Sequence, residues 1–160
     1  MTDINNTNGI DLSSIDTSFD IENDFKPEPL IPPGTYRGNI IGTSFGAGHV
    51  RFKFSLADNG GYMSDGETEI DGNQLIFKLW LPKPGDETEY TASGRQTKRQ
   101  WKINNMKKVF DELKITIKTF NDLQELVENQ ELIGTEIIAA VGLNEYNSNI
   151  TNDVSTLTAQ

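Results

Sequence analysis

Apolar and polar residues alternate strictly through two stretches of the chain. From His49 to Ala57, Val50, Phe52, Phe54 and Leu56 interleave with Arg51, Lys53 and Ser55, the two-residue period of a strand with one buried face. Leu75, Phe77, Leu79 and Leu81 alternate in the same way with Ile76, Lys78 and Trp80. They predict a strand over Gln74–Leu81, ended by Pro82-Lys83-Pro84-Gly85. Thr35–Phe45 reads as the strand before these two, with Gly46-Ala47-Gly48 as the hairpin turn. A three-residue turn pairs Phe45 with His49, Ile40 with Phe54 and Ile41 with Lys53. It sets Tyr36, Gly38, Ile40 and Gly42 on the core face.

The period then changes. Ile103, Met106, Phe110 and Leu113 fall at helical spacing and predict a helix over Arg99–Leu113. Thr119 and Asp122 fit a capping box for a second, shorter helix whose apolar face is Phe120, Leu123, Leu126 and Val127. Thr135–Tyr146 and Ile150–Thr158 read as two further strands joined by Asn147-Ser148-Asn149. Residues 58–73 form a Gly-rich acidic loop, and a polar loop runs from Pro82 to about Gly94. The order is three strands, one or two helices, then a two-strand hairpin. It suits a mainly β fold, a five-stranded barrel of the oligonucleotide/oligosaccharide-binding (OB) type with its helices between strands 3 and 4. The alternation of strand and helix that a dinucleotide fold needs is absent.

Residues 1–25 have no sustained period and are rich in Asn, Asp, Ser and Thr, the composition of a disordered acidic tail. Pro27, Pro29, Pro32 and Pro33 follow. The expected organisation is a tail with a Pro-rich linker over residues 1–31 and one domain over residues 32–160.

Charge sharpens this division. The 160 residues carry a formal charge of −10. Residues 1–30 hold seven acids and one base, net −6, whereas residues 95–118 hold eight bases and two acids, net +6. Total charge argues against a polyanionic partner, but association follows the local field. With no Cys and one His, disulfides, thiol nucleophiles and Cys/His zinc sites are excluded. No apolar run approaches a membrane span and the N-terminal residues do not read as a signal peptide, so the expected setting is soluble and intracellular.

The strand pattern also collects chemistry. Opposite the core face lie Arg37, Asn39, Ile41, Thr43 and Phe45 of the first strand, and His49, Arg51, Lys53 and Ser55 of the second. Ile76, Lys78 and Trp80 of the third complete a basic surface interleaved with aromatic rings. Single-stranded nucleic acid needs that combination, since cations follow the phosphates while rings stack on bases. Arg95, Lys98, Arg99, Trp101 and Lys102 extend it at the start of the helix. The candidate binding residues are therefore Arg37, Phe45, Arg51, Lys53, Lys78, Trp80, Arg95, Lys98, Arg99, Trp101 and Lys102. The plainer alternatives are a solvated basic face, Trp80 covering a barrel end, and Trp101 anchoring the helix in the core.

Other motifs carry less. Gly42-Thr43-Ser44-Phe45-Gly46 has the G-x-S-x-G form, but it runs into a hairpin instead of a helix. Asp65, Glu67, Glu69 and Asp71 alternate like a calcium loop, but Ile70 and Ile76 stand where its Gly and final Glu belong. Gly46-Ala47-Gly48 lacks the third Gly of a dinucleotide loop. His49, at a hairpin end, reads as an exposed polar residue. No catalytic pair stands out, and no metal site or cofactor is expected.

Pro33-Gly34-Thr35-Tyr36-Arg37-Gly38, Val50-Arg51-Phe52-Lys53-Phe54 and Leu75-Ile76-Phe77-Lys78-Leu79-Trp80 precede the helix from Trp101 to Leu113. The segment Leu132-Ile133-Gly134-Thr135-Glu136 and the Asn144-Glu145-Tyr146-Asn147 turn follow it. In this order the chain, over about residues 32–159, resembles phage-encoded single-stranded-DNA-binding proteins of the OB-fold type. The resemblance implies a protein that coats and protects single-stranded DNA (ssDNA) during phage replication and recombination in the infected cell's cytoplasm, without catalysis or cofactor. Many such proteins end in an acidic tail that recruits partners or competes with DNA. Here the acidic segment is N-terminal, and replication or recombination proteins are the partners it would take. Two alternatives remain: an adaptor or assembly factor that uses the barrel without nucleic acid, and an accessory subunit of a nuclease or recombinase.

Overall fold

A computed structural model describes residues 11–160. The part of the expected tail at residues 1–10 lies outside the described residues. Elsewhere the tail carries two short turns, Leu12–Ser14 and the single helical turn α1 (Ile21–Asp24), with no buried side chain. Each turn is capped by an aspartate. Asp11 accepts from the Ser13 N–H, and Asp20 accepts from the N–H groups of Glu22 and Asn23. This local Asp capping gives turns where composition alone suggests none.

The domain is mainly β. Five antiparallel strands, β1 (Gly34–Gly46), β2 (His49–Leu56), β3 (Gln74–Trp80), β4 (Glu136–Tyr146) and β5 (Asn149–Ala159), form one sheet in the order β3-β2-β1-β4-β5. Helices α2 (Lys98–Glu112) and α3 (Phe120–Glu128) lie between β3 and β4 in sequence. Thr97 caps α2, and Thr119 with Asp122 forms the expected capping box on α3. Of the expected five-stranded barrel the structure shows five strands in one sheet that does not close. Its edge strands β3 and β5 approach one another but share no hydrogen bonds.

One face of the sheet holds the core. Val50, Phe52, Phe54 and Leu56 of β2, Phe77 and Leu79 of β3, and Ile137, Ala139 and Val141 of β4 are buried there. Val109, Phe110 and Leu113 at the end of α2, with Leu123, Leu126 and Val127 of α3, complete it. The core also takes in Ile31, whose backbone N–H and C=O both bond the Asn152 side-chain amide at 2.8 Å.

The register of β1 differs from the expectation in one place. The turn to β2 has two residues, Ala47 and Gly48, and pairs Gly46 with His49 and Phe45 with Val50. Ile41 is an extra residue that restores the expected pairing at Ile40 and Phe54. This bulge rotates every later residue of β1 to the opposite face. Thr43 and Phe45 therefore turn inward with Phe52 and Val50, and Gly42 turns outward with Lys53. Thr43 is buried, and its backbone N–H and C=O are both bonded by the Gln130 side chain, at 2.9 and 2.8 Å. Gln130 thus serves a stretch of β1 that β4 does not reach, since β1–β4 pairing ends at Asn39.

Candidate nucleic-acid interface

The face opposite the core on β1, β2 and β3 is built by register alone. Arg51 stands between Ser44 and Lys78, Lys53 between Gly42 and Ile76, and His49 between Gly46 and Trp80. Arg37 lies further down β1 on the same side as Asn39. Arg37, Arg51, Lys53 and Lys78 are exposed, and none reaches a carboxylate among the described residues. This part of the face carries no acid. Arg51 and Lys78 sit directly opposite each other, an arrangement that destabilises a bare sheet.

Trp80 is the ring of this face, 49% exposed. It packs on Gly48, whose φ of +78° turns the chain from β1 to β2. Its centroid lies 4.7 Å from that of His49. Its free side is open to a stacking partner. Ile41 and Ile76 are also exposed, at 38% and 42%, and add apolar surface between the cations.

The acidic loop holds Arg37 in place. The Asn59 side chain accepts from the Arg37 N–H at 2.8 Å and donates to the Arg37 carbonyl at 2.9 Å. Asp71 in turn accepts from the backbone of Asn59 and Gly60. The Gly60 N–H in particular holds the Asp71 carboxyl below its ordinary value.

No protein-family model matches the chain, and no curated protein matches it.

The remaining expected residues separate into three groups. Phe45 is on the wrong side. The bulge puts it on the core face, where its ring lies 5.8 Å from that of Phe120 on α3. Lys102 and Lys98 are already paired. Lys102 donates to the fully buried Asp86 at 2.7 Å, and Lys98 lies 3.1 Å from Glu89. That hydrogen bond, with the Lys83 N–H, keeps the Asp86 carboxyl below its ordinary value. Lys102 is thus a structural cation that ties α2 to the loop after β3. Arg95, Arg99 and Trp101 remain exposed on that loop and the first turns of α2. Arg99 also borders an apolar groove of about 820 Å³ formed by Leu81, Pro82, α2 and α3.

Sequence reasoning missed His49, Asp86 and Gln130. Asp86 and Lys102 are sixteen residues apart across a loop, a separation with no periodic signature. The one signal for His49 was its place on the outer face directly after the Gly46-Ala47-Gly48 turn.

Proposed function

We propose that the chain is a non-catalytic single-stranded-DNA-binding protein that coats and protects ssDNA. The observation that carries this reading is the face of β1–β3. Four cations that meet no carboxylate among the described residues share this face with an exposed tryptophan, and two of them oppose each other across adjacent strands beside it. The cations would neutralise phosphates and Trp80 would stack on a base, at about 1–3 kcal/mol per base. The strand order supports the OB reading. In that fold a five-stranded, partly open barrel binds oligonucleotides on the face of strands 2 and 3, and here β3 curls toward β5. The phage setting, in replication and recombination within a bacterial cell, rests on the resemblance of the segments from Pro32 onward.

The N-terminal segment enters the same proposal as a tethered polyanion. Its net −6 over residues 1–30 competes with DNA for the basic face through high effective concentration, and it is also the region offered to replication partners.

A gel shift with labelled oligo-dT and duplex of equal length tests the reading. The single strand should shift at lower protein concentration than the duplex. Equal affinity, or no shift with either, rejects it. A second reading is favoured by one feature. The β4–β5 ribbon beyond Val141 exposes Leu143, Tyr146 and Ile150 and carries no cation, a surface suited to a protein partner. An adaptor role predicts no shift in the same gel.

A further inference from the structure

His49 lies on the outer face, yet only 5% of it is exposed. Its ring lies against the backbone of Gly46, where a side chain at position 46 would overlap Nε2 and Cε1. Trp80 packs against the same ring at 4.7 Å with the planes 56° apart. Nδ1 is 3.1 Å from the Ala47 carbonyl oxygen, which only accepts, so Nδ1 carries the proton. Nε2 then has a free lone pair, and the Arg51 Nε–H donates into it at 3.2 Å. Both ring nitrogens are satisfied only in the neutral ring. The other two nitrogens of the Arg51 guanidinium have no partner among the described residues and are free for a ligand.

Among the described residues the charged groups of this face nearby are all cations: Arg51 and Lys53 on β2 itself and Lys78 across from Arg51 on β3. The facing residues of β1, Ser44 and Gly46, carry no charge. Among the described residues nothing else holds the Arg51 side chain. Without the Nε2 acceptor, repulsion from Lys78 and the freedom of a long side chain would let the guanidinium move away.

We propose that His49 is a positioning residue for the single-strand-binding face. Its neutral ring fixes the Arg51 guanidinium from behind and backs the Trp80 ring. A phosphate-binding cation and a base-stacking ring are thereby presented at a set spacing along the strand. The inference rests on the reading of this face as an ssDNA site, and it goes further by assigning the device that couples its two kinds of contact. The coupling acts through orientation, so His49 itself need not touch DNA.

The test is a double-mutant cycle on full-length protein with labelled oligo-dT. His49→Phe keeps a ring against Trp80 and removes the acceptor. It should weaken binding about tenfold, the order expected for a lost hydrogen bond to a charged group. In an Arg51→Gln background the same change should have almost no further effect, because the two residues act as one unit. Gly46→Ala, which fills the seat of the ring while leaving His49 and Arg51 in the sequence, should reproduce the loss. It carries the test if His49→Phe does not fold. Wild-type affinity in His49→Phe, or losses that add in full with Arg51→Gln, would overturn the positioning role and leave the ssDNA reading standing. A wild-type protein that binds no oligo-dT overturns both.

Discussion

The two halves of the outer face belong to one continuous sheet but differ in charge. Across β1–β3 it carries Arg37, Arg51, Lys53 and Lys78 and no acid. Across β4–β5 it carries Glu136 and Asp153 with Ile138, Tyr146, Thr, Asn and Ala, and no Lys or Arg occurs anywhere after Lys118. Both halves solve the same folding problem, since each needs a solvated face behind a buried one. Polar uncharged residues such as Thr156 and Thr158 are sufficient for that. The β1–β3 half instead places Arg51 against Lys78, which costs stability, next to the half-exposed Trp80. The difference between the halves therefore separates what the fold requires from what a ligand requires.

The sharpest way to break this comparison is to remove the charge from one half only. Replacing Arg37, Arg51, Lys53 and Lys78 together by Gln should abolish measurable oligo-dT binding at moderate salt. Removing any one of them should lower the slope of log affinity against log salt by about 0.7, the value for one phosphate contact on a single strand. Glu136→Gln with Asp153→Asn, on the other half, should leave affinity nearly unchanged. Equal effects from the two halves would end the distinction.

The two faces of β3 give the next largest contrast. Phe77 is buried with its ring 6.0 Å from that of Phe52. Phe77→Ala should cost about 3–5 kcal/mol of stability in denaturant titration, as large core truncations do. Trp80→Ala should shift the melting temperature little while costing about 1–3 kcal/mol of oligo-dT binding. The opposite pattern would invert the strand.

Cations that serve the fold should behave differently from those on the face. Asp86 is ionised in the folded protein through Lys102 and the Lys83 N–H, and its carboxyl is held below the ordinary value of 3.8. A depressed folded value means that the unfolded state takes up the proton first as pH falls. The pair therefore stabilises fully above about pH 4, and its contribution disappears as the pH drops below that range. Asp86→Asn should lower the melting temperature at neutral pH, and its deficit relative to wild type should shrink in acid. A deficit that does not change with pH would remove the ion pair from the account.

The smallest expected effect comes from the acidic segment. Deleting residues 1–25 should leave the melting temperature unchanged and tighten oligo-dT binding a few-fold at low salt. The gain should fade as salt screens the charges. Weaker binding after deletion would show that the segment assists instead of competing.

Much of the sheet was legible because alternation in β2 and β3 is strict and unbroken. Val50 to Leu56 and Leu75 to Leu79 fix which side chains face inward, and with them the positions of Arg51, Lys53, Lys78 and Trp80. Helix α3 was legible from its capping box and apolar face. The upper half of β1 was not, because Gly42, Thr43 and Ser44 have no apolar alternation to mark a bulge. The stretch after the extra residue at Ile41 is bonded by Gln130, eighty-seven residues away from Thr43 in sequence. That error carried Phe45 to the wrong side. Lys102 was misjudged for a related reason: a helical cation looks the same whether or not a distant loop supplies a buried carboxylate. The open sheet edge depends on how far β3 and β5 curl, which residue pattern does not encode.

The most direct test of the central claim reads Trp80 itself. With Trp101 replaced by Phe, the intrinsic fluorescence reports the one ring on the basic face, and it can be titrated with oligo-dT at increasing salt. The expected result is saturable quenching at low salt whose midpoint moves steeply to higher oligonucleotide concentration as salt rises. Emission that does not respond to oligo-dT while Arg51 and Lys78 are intact would contradict the assignment of this face to single-stranded DNA.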